Sequence, residues 1–477
     1  MERKLVIGRE RETKRLNECY ESKESQLVLV YGRRRVGKTF LINQTFEGRF
    51  DFKITGAYNQ NTDFQLNTFN IELCRQTQKD IPLAKTWLKA FAQLRDYLDS
   101  FSDDEKRVVF FDEMPWLDTP KSGFLAAFEW FWNDFGSSKN NLVFIICGSA
   151  TSWITDKIEH NKGGLFNRQN CRIFLEPFTL YETEEFLESR EIHWSRYQIT
   201  ECYMILGGIP YYLNLLSKSL SFNQNIDNLF FRKRAELWDE FDNLYRTLFS
   251  NSENHIKVIE ALFEKKMGLS RKEIASATKI ADNASLTAIL TNLSDSGFIR
   301  PYPFYGNKKH GTFYQLSDYY TLFYYKYIKG NYGKDEHYWS NTQENPSRKS
   351  WAGLTFEQVC KDHLRQIKQK IGISSVLTEV SSWFSKADEV HDGAQIDLII
   401  DRRDHVINLC EIKFSLGEYV IDKDYDKVLR TKLSTFASCT KTKKALQLTM
   451  ISTYGIKNNM YSGIVSSQVM LDDLFAK

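Results

Sequence analysis

The sequence has few of the features that would fix its class at once. Its 477 residues include only 8 prolines and 8 cysteines, and no two cysteines form a CxxC pair. Scattered cysteines of this kind favour buried free thiols in a reducing compartment over disulfides or a zinc site. No apolar run approaches the roughly 20 residues that a membrane helix needs. We therefore expect a cytoplasmic protein without a membrane segment.

The overall charge is also uninformative about partners. Lys and Arg total 64 and Asp and Glu total 61, which gives a net charge of +3. Any basic surface for nucleic acid must therefore be local. Aromatic residues make up 14% of the chain, which favours packed globular domains over disorder. At roughly 100–200 residues per domain, the length predicts three or four domains.

The most specific motif follows a short apolar run. Leu27–Tyr31 predicts a buried parallel strand, and it leads directly into a GxxxxGK[ST] loop and an apolar helix start. Glycines allow backbone N–H groups to turn toward phosphate oxygens, and the helix N-terminus adds a positive dipole end. We expect Lys38 to reach the β- and γ-phosphates of ATP and the Thr39 hydroxyl to hold Mg²⁺. The predicted loop consists of Gly32, Arg33, Arg34, Arg35, Val36, Gly37, Lys38 and Thr39.

Two further strands supply polar residues at their carboxyl ends, where ligands bind in parallel sheets. The run 107–111 ends in Asp112 and Glu113. We assign Asp112 to the Mg²⁺ shell, through water, and Glu113 to polarising the attacking water. The run 142–147 is followed by Ser149, which either senses the γ-phosphate or caps a helix.

Five sequence strings together carry a family resemblance: Ile7–Glu10, Tyr31–Thr39, Phe111–Glu113, Cys147–Ser149 and Leu206–Leu213. In this order they resemble the archaeal-type ATPase family of the AAA+-related STAND NTPases, over roughly the first half of the chain. The resemblance implies that Gly8 and Arg9 lie near the adenine. It also implies that Gly208 and Pro210 form the Gly-x-Pro element of a helical lid.

Arg168 matches the arginine that this family carries after the third strand. The family usually has Gly-Arg there, whereas this chain has Asn-Arg at 167–168. Arg168 therefore either contacts nucleotide or makes a salt bridge. Action across a subunit boundary would require a homo-oligomer.

The middle of the chain has the order of a winged helix. A helical pattern at 255–263, a capping box from Ser270 to Glu273 and a segment at 283–296 stopped by Gly297 precede two β-rich runs around a basic tip at 305–311. The second capped segment is poor in Lys and Arg, so both DNA binding and internal packing stay open.

The last third places acids inside apolar strands. Asp397 lies in the run 394–400, and Glu411 and Lys413 alternate in the run 406–414. Buried acids are costly unless they bind a metal or pair with a cation. We predict Asp397 and Glu411 as Mg²⁺ ligands, with Lys413 orienting or deprotonating water.

This Asp…Glu-x-Lys pattern resembles the PD-(D/E)XK nuclease superfamily. Glu357 matches the acid on that superfamily's first helix, and Lys432 is an accessory candidate on a later helix. The alternative is a salt-bridged Glu–Lys pair in an inactive relic. His391 and His405 are interpreted as loop residues.

Together these patterns predict an α/β protein. The predicted domains are a P-loop ATPase core (1–177), a helical lid (178–250), a winged helix (251–330), a linker (331–350) and a nuclease-like α/β domain (351–477). The expected function is an ATP- and Mg²⁺-dependent switch that controls a DNA endonuclease. The alternative is a non-nucleolytic regulator or scaffold that binds DNA or a protein partner.

Overall fold

The chain folds into two compact units. The computed structural model describes residues 6–159, 163–165, 168–249, 252–265, 267–306, 312–331, 333–385 and 393–477. The first unit extends to Pro177 and includes two short later segments that begin at Arg246 and Thr291. The remaining residues form the second unit.

The first unit is built on a five-stranded parallel sheet of order β2-β3-β4-β1-β5. The predicted strands at 27–31, 107–111 and 142–147 are confirmed. The elements up to residue 177 are α1 (Glu10–Glu21), β1 (Gln26–Tyr31), α2 (Lys38–Thr45), β2 (Phe50–Thr55), α3 (Thr62–Thr77), α4 (Trp87–Asp99), β3 (Arg107–Asp112), α5 (Phe124–Asp134), β4 (Leu142–Gly148), α6 (Thr151–Ile154) and β5 (Cys171–Phe174).

The centre of this sheet is buried on both faces. All seven residues of β4 are buried, as are Val108–Asp112 of β3, which explains why these strands are continuous apolar runs rather than alternating ones. Phe91 of α4 stacks on Phe111 with the ring centroids 5.8 Å apart, and Phe111 stacks on Phe144 at 5.0 Å. These rings join the helical layer to the strand that ends in Asp112 and fix its position.

After residue 177 the chain contains mostly helices, together with two further sheets of three and five strands. The elements are α7 (Leu180–Glu188), α8 (Arg196–Leu206), α9 (Pro210–Leu213), α10 (Phe222–Ile226), α11 (Glu240–Leu248), α12 (Ser252–Glu264), β6 (Leu269–Ser270), α13 (Arg271–Thr278), α14 (Ala284–Asp295), β7 (Ile299–Tyr302), β8 (Phe313–Leu316), α15 (Tyr319–Phe323), α16 (Tyr338–Asn341), α17 (Pro346–Asp362), α18 (Leu364–Lys370), β9 (Thr378–Ser385), β10 (Ala394–Arg402), β11 (Val406–Lys413), α19 (Lys423–Thr440), β12 (Ala445–Ser452) and β13 (Ser467–Met470).

The local signals predicted for the middle segment are present. Ser270 and Glu273 form the predicted capping box of α13, and Gly297 follows α14 with φ 73°, a left-handed conformation that suits glycine. Strands β6, β8 and β7 form a small antiparallel sheet in that order. The predicted basic tip at 307–311 lies outside the described residues. The element order is that of a winged helix, which stays a prediction.

The segment predicted as a linker is structured instead. It contains α16 and the start of α17. Arg348 lies with its guanidinium 3.6 Å from the centroid of the Trp339 ring and donates to the Trp339 carbonyl at 2.6 Å. Both side chains are buried. Their packing outweighs the polar composition on which the linker prediction rested.

The C-terminal sheet is mixed, with the order β13-β12-β11-β10-β9. β10 pairs antiparallel with both β9 and β11, whereas β11, β12 and β13 are parallel. The predicted strands at 394–400 and 406–413 are confirmed. Leu398 pairs with Cys410, so Asp397 and Glu411 occupy the next cross-strand position.

No helix within the described residues combines the length and apolarity needed to cross a bilayer.

Candidate nucleotide site and acidic cluster

The loop after β1 has a backbone that requires glycine at defined places. Gly32 has φ 139° and Gly37 φ 91°. A Cβ on Gly32 would collide with the carbonyl oxygen of Leu175, so the close approach of β1 and β5 depends on that glycine. Arg35 also takes positive φ, at 72°. The loop therefore curls tightly before α2 begins at Lys38, and its N–H groups precede a helix N-terminus.

Lys38 is buried and bonded to the loop itself. Its Nζ donates to the carbonyl oxygens of Gly32 at 2.9 Å and Arg33 at 2.8 Å. Burial lowers the pKa of Lys38, and the negative charges of Glu113 and Asp112 oppose that shift. The ammonium group is thus held in the loop by neutral carbonyls, with two carboxylates near it.

Thr39 and Asp112 meet across the sheet edge. The Thr39 hydroxyl lies 3.0 Å from both carboxylate oxygens of Asp112. Two adjacent corners of a Mg²⁺ octahedron are about 2.9 Å apart, because the ion binds oxygen at roughly 2.0–2.1 Å. Burial and the neighbouring Glu113 raise the pKa of Asp112, because both oppose a negative charge at this position. This pair fits a divalent ion.

Glu113 and Ser149 form the next contact. Glu113 takes a left-handed backbone conformation, φ 45°, which costs a non-glycine residue about 1 kcal/mol. Its Oε2 accepts from the backbone N–H and from the hydroxyl of Ser149, both at 3.0 Å. One carboxylate oxygen is thereby fixed by β4, and the two predicted residues are brought together.

The other predicted nucleotide residues fall into three groups. Gly8 and Arg9 are buried in the first unit, where Arg9 donates to the carbonyl of Glu176 at 2.7 Å. Arg34 donates to the Thr247 hydroxyl, and Arg33 and Val36 are buried. Arg168 is exposed and forms no side-chain ion pair within the described residues. Gly208 and Pro210 belong to the second unit.

Gly208 has its own structural reason to be glycine. It has φ 63°, and a Cβ there would collide with the carbonyl of Phe178. The Gly208 carbonyl in turn accepts from the Phe178 N–H at 2.8 Å. Pro210 begins α9, where its missing N–H costs no helical hydrogen bond.

A second cluster surrounds Glu411 on the C-terminal sheet. Its Oε1 accepts from the Tyr425 hydroxyl at 2.7 Å and lies 3.1 Å from the Lys413 ammonium. Its Oε2 accepts from Lys432 at 2.7 Å. Although burial opposes ionisation, Lys432 and Lys413 hold the pKa of Glu411 below its usual value. The predicted Glu411–Lys413 pair is therefore an ion pair with a second lysine added.

Glu357 and Lys361 extend this cluster from α17. Burial and the nearby Asp397 raise the pKa of Glu357 to about 8. Burial lowers the pKa of Lys361, which Glu357 counteracts, and its Nζ donates to Gln315 at 3.3 Å. Asp397 accepts from Gln395 at 2.6 Å. Within the described part of the chain, no three His, Cys, Asp or Glu side chains are arranged to hold a metal ion.

Sequence reasoning missed three residues of these sites. Cys147 hydrogen-bonds the side chain of Asp112, and nothing in an apolar strand marks it. Lys361 follows Glu357 by four residues, and Tyr425 precedes Lys432 by seven. Both spacings lie on one helix face, so this signal could have found them.

Comparison with known families agrees with the geometry of the first site. Residues 7–216 match the model of an ATPase domain found predominantly in Archaea. This span includes the loop 32–39, Asp112 and Glu113, and the match supports a P-loop ATPase domain. Residues 319–428 match a family of archaeal and bacterial proteins of unknown function. That second match assigns no activity to the C-terminal cluster.

One relative over most of the chain and two similar solved structures assign no function to the C-terminal cluster. An uncharacterized protein of Methanocaldococcus jannaschii is 26% identical over 432 residues, which is 89% of this chain and 90% of that protein. The Walker-type ATPase of Pyrococcus abyssi is 18% identical, covers 66% of this chain and 95% of its own, and superimposes with a TM-score of 0.47. The ORC2 protein of Aeropyrum pernix is 16% identical. The match covers 65% of this chain and 90% of the ORC2 chain, with a TM-score of 0.41.

Proposed function

We propose that this chain is an ATP-driven switch whose P-loop ATPase domain controls a Mg²⁺-dependent DNA endonuclease on the C-terminal sheet. The observation that carries the first half of the proposal is the Thr39–Asp112 contact beside Glu113 and the glycine loop. It unites a metal-binding pair, a carboxylate and a phosphate-binding backbone at one sheet edge.

In the ATPase domain, the loop 32–39 binds the phosphates, with Lys38 leaving the carbonyls of Gly32 and Arg33 to neutralise phosphate charge. Thr39 and Asp112 hold Mg²⁺, which supplies charge neutralisation when it is bound. Glu113, held through one oxygen by Ser149, orients water with the other and accepts its proton. Gly8 and Arg9 lie near the adenine, and Arg168 contacts nucleotide from an exposed position.

In the C-terminal domain, Asp397 and Glu411 hold the metal ion, Lys413 orients or deprotonates the water, and Glu357 adds a third carboxyl group. Support comes from the adjacent register of Asp397 and Glu411 and from the 3.1 Å contact between Glu411 and Lys413. The residues fit a cation chemically, because carboxylate oxygens from two neighbouring strands are ligands that Mg²⁺ prefers.

Coupling is supported by contacts inside the second unit. The segment that contains Gly208 and Pro210 belongs to this unit together with the C-terminal sheet. Tyr197 of α8 stacks on Phe414, with the ring centroids 4.7 Å apart and the planes 18° apart. Phe414 directly follows Lys413. Because α8 ends at Leu206 and is capped by Gly207, a movement of the Gly208–Pro210 element would reach the strand that carries Glu411 and Lys413.

A non-nucleolytic regulator that binds DNA or a protein partner is the second candidate. The observation that favours it is that Lys432 and Tyr425 already satisfy the oxygens of Glu411. The winged-helix element order would then supply the binding surface, although α14 contains no Lys or Arg to contact DNA phosphates.

The deciding experiment incubates the full chain with linear and circular DNA, Mg²⁺ or Mn²⁺, and ATP. We expect cleavage that Lys413→Met reduces by about 10²–10⁴-fold, the usual contribution of proton transfer. Lys427→Met, on an exposed position of α19, is the matched control. Absence of cleavage with either metal, or equal cleavage by Lys413→Met, would leave the regulator as the remaining function.

Coupling has its own test. Lys38→Met keeps the side-chain length and removes the charge, so it should abolish hydrolysis and make DNA cleavage independent of ATP. Lys23→Met, at an exposed position in the first unit, is the control. A Lys38→Met protein that still cuts in an ATP-dependent manner would contradict control by the P-loop.

A further inference from the structure

Glu411 is the most heavily bonded carboxylate of the C-terminal cluster. Its Oε1 contacts the Tyr425 hydroxyl and the Lys413 ammonium, and its Oε2 contacts Lys432 at 2.7 Å. The Glu411 side chain is only 6% exposed. Oε1 thus has two partners and Oε2 one, so Oε2 is the oxygen where a metal ion displaces the fewest partners.

The cluster has enough ammonium groups to neutralise its carboxylates without a metal ion. Its acidic groups and its ammonium groups are equal in number. The acids are Glu357, Asp397 and Glu411, and the lysines are Lys361, Lys413 and Lys432. A divalent ion would add two positive charges to this partly buried group, and like charges at such distances repel strongly. Metal binding therefore requires at least one lysine to withdraw.

Lys432 is the lysine that is built to withdraw. It lies on α19 rather than on the sheet, and the one contact of its Nζ within the described residues is with Oε2 of Glu411. Lys413 is fixed on the same strand as Glu411, and its ammonium lies 5.0 Å from the centroid of the Tyr425 ring and 5.8 Å from that of Tyr419. Its withdrawal would sacrifice both cation–π contacts.

We infer that Lys432 is a competing cation for the metal site, so that its ammonium group and a divalent ion occupy Oε2 of Glu411 in turn. The inference rests on the proposed nuclease function and names the regulation of that same site. Release of Lys432 to solvent, or to a DNA phosphate, opens the site for the metal ion. Lys432 thus acts through Glu411 as a positioning residue.

The test measures Mn²⁺ binding to the full chain without nucleotide or DNA, by the electron paramagnetic resonance signal of free Mn²⁺. Glu411→Gln defines the binding that does not belong to this site. Lys432→Met should bind Mn²⁺ at the Glu411-dependent site on the order of tenfold more tightly, since a hydrogen bond between charged groups no longer competes. Lys427→Met, five residues away on the exposed face of α19, should bind as the wild type does.

The outcomes separate this inference from the nuclease proposal. Equal Mn²⁺ affinities of wild type and Lys432→Met, or weaker binding by the variant, overturn the competition and leave the metal site standing. If no variant shows Glu411-dependent Mn²⁺ binding, both the competition by Lys432 and the proposed metal site are overturned. If Lys432→Met does not fold, Lys432→Gln is measured, which keeps a polar head without the charge.

Discussion

The two acidic sites of this chain place their lysines differently. At the P-loop, the ammonium of Lys38 is bonded to carbonyl oxygens, and the hydrogen bonds that the Asp112 carboxylate accepts within the described residues come from neutral donors. On the C-terminal sheet, Lys413 and Lys432 are bonded directly to Glu411. The pKa of Asp112 is raised by burial, whereas that of Glu411 is lowered by its cations. Within the described residues, the carboxylate of Asp112 thus bonds to no ammonium group, whereas that of Glu411 bonds to two.

The largest expected effect tests whether Glu113 is the catalytic carboxylate of the P-loop site. Glu113→Gln preserves size and the Ser149 contact but cannot take a proton. We expect kcat for ATP hydrolysis to fall by about 10²–10⁴-fold, with ATP binding retained in an equilibrium titration. Glu21→Gln, at an exposed position on α1, should hydrolyse normally. Loss of ATP binding in Glu113→Gln would instead indicate a structural role.

The second prediction tests the contrast between the two carboxylates themselves. Glu411→Gln leaves two partly buried lysines without their anion and should lower the free energy of unfolding by about 1–3 kcal/mol, less than for a fully buried pair. Asp112→Asn removes a buried charge beside Glu113 and should leave stability unchanged or raise it. Chemical denaturation without metal or nucleotide measures both. Equal destabilisation by the two variants would contradict the contrast between Asp112 and Glu411.

Much of the P-loop site could be predicted from the local sequence, because its residues lie at the ends of strands. The strand before Gly32, the strand before Asp112 and the strand before Ser149 are each apolar runs, and the parallel sheet brings their carboxyl ends to one edge. The sequence could not predict that Lys38 folds back onto loop carbonyls or that Cys147 contacts Asp112. Both depend on side-chain packing rather than on periodicity.

The C-terminal site was harder to predict because its bonds cross between elements. The strands that carry Asp397 and Glu411 are visible as apolar runs, but the partners of Glu411 come from α19. The sequence identified Lys432 only as an accessory candidate and did not identify Tyr425. The linker prediction failed for a related reason, since Arg348 covers Trp339 through tertiary packing, which local composition does not encode.

A third prediction concerns the contact between Glu113 and β4. Ser149→Ala removes the hydroxyl donor at 3.0 Å but keeps the backbone N–H donor to the same oxygen. We expect kcat for ATP hydrolysis to fall by about tenfold with KM unchanged, which corresponds to one hydrogen bond that orients a charged group. Ser137→Ala, on the exposed surface of the same unit, is the control. A rise in kcat would mean that Ser149 restrains Glu113 in an unproductive orientation.

The smallest expected effect is a pH dependence of stability that comes from Glu357 in the C-terminal cluster. Burial and Asp397 raise the pKa of Glu357 from 4.5 to about 8 in the folded chain. Between these values the unfolded chain has released the proton and the folded chain retains it, so the folded state binds more protons and stability falls as pH rises.

Glu357→Gln cannot ionise and should lack this part of the loss of stability. Thermal unfolding of wild type and variant from about pH 5 to about pH 9 gives the difference, with Glu253→Gln on an exposed position of α12 as the control. Parallel pH profiles for wild type and Glu357→Gln would mean that Glu357 is charged and paired in the fold, and the cluster would then have a carboxylate ready for a metal ion.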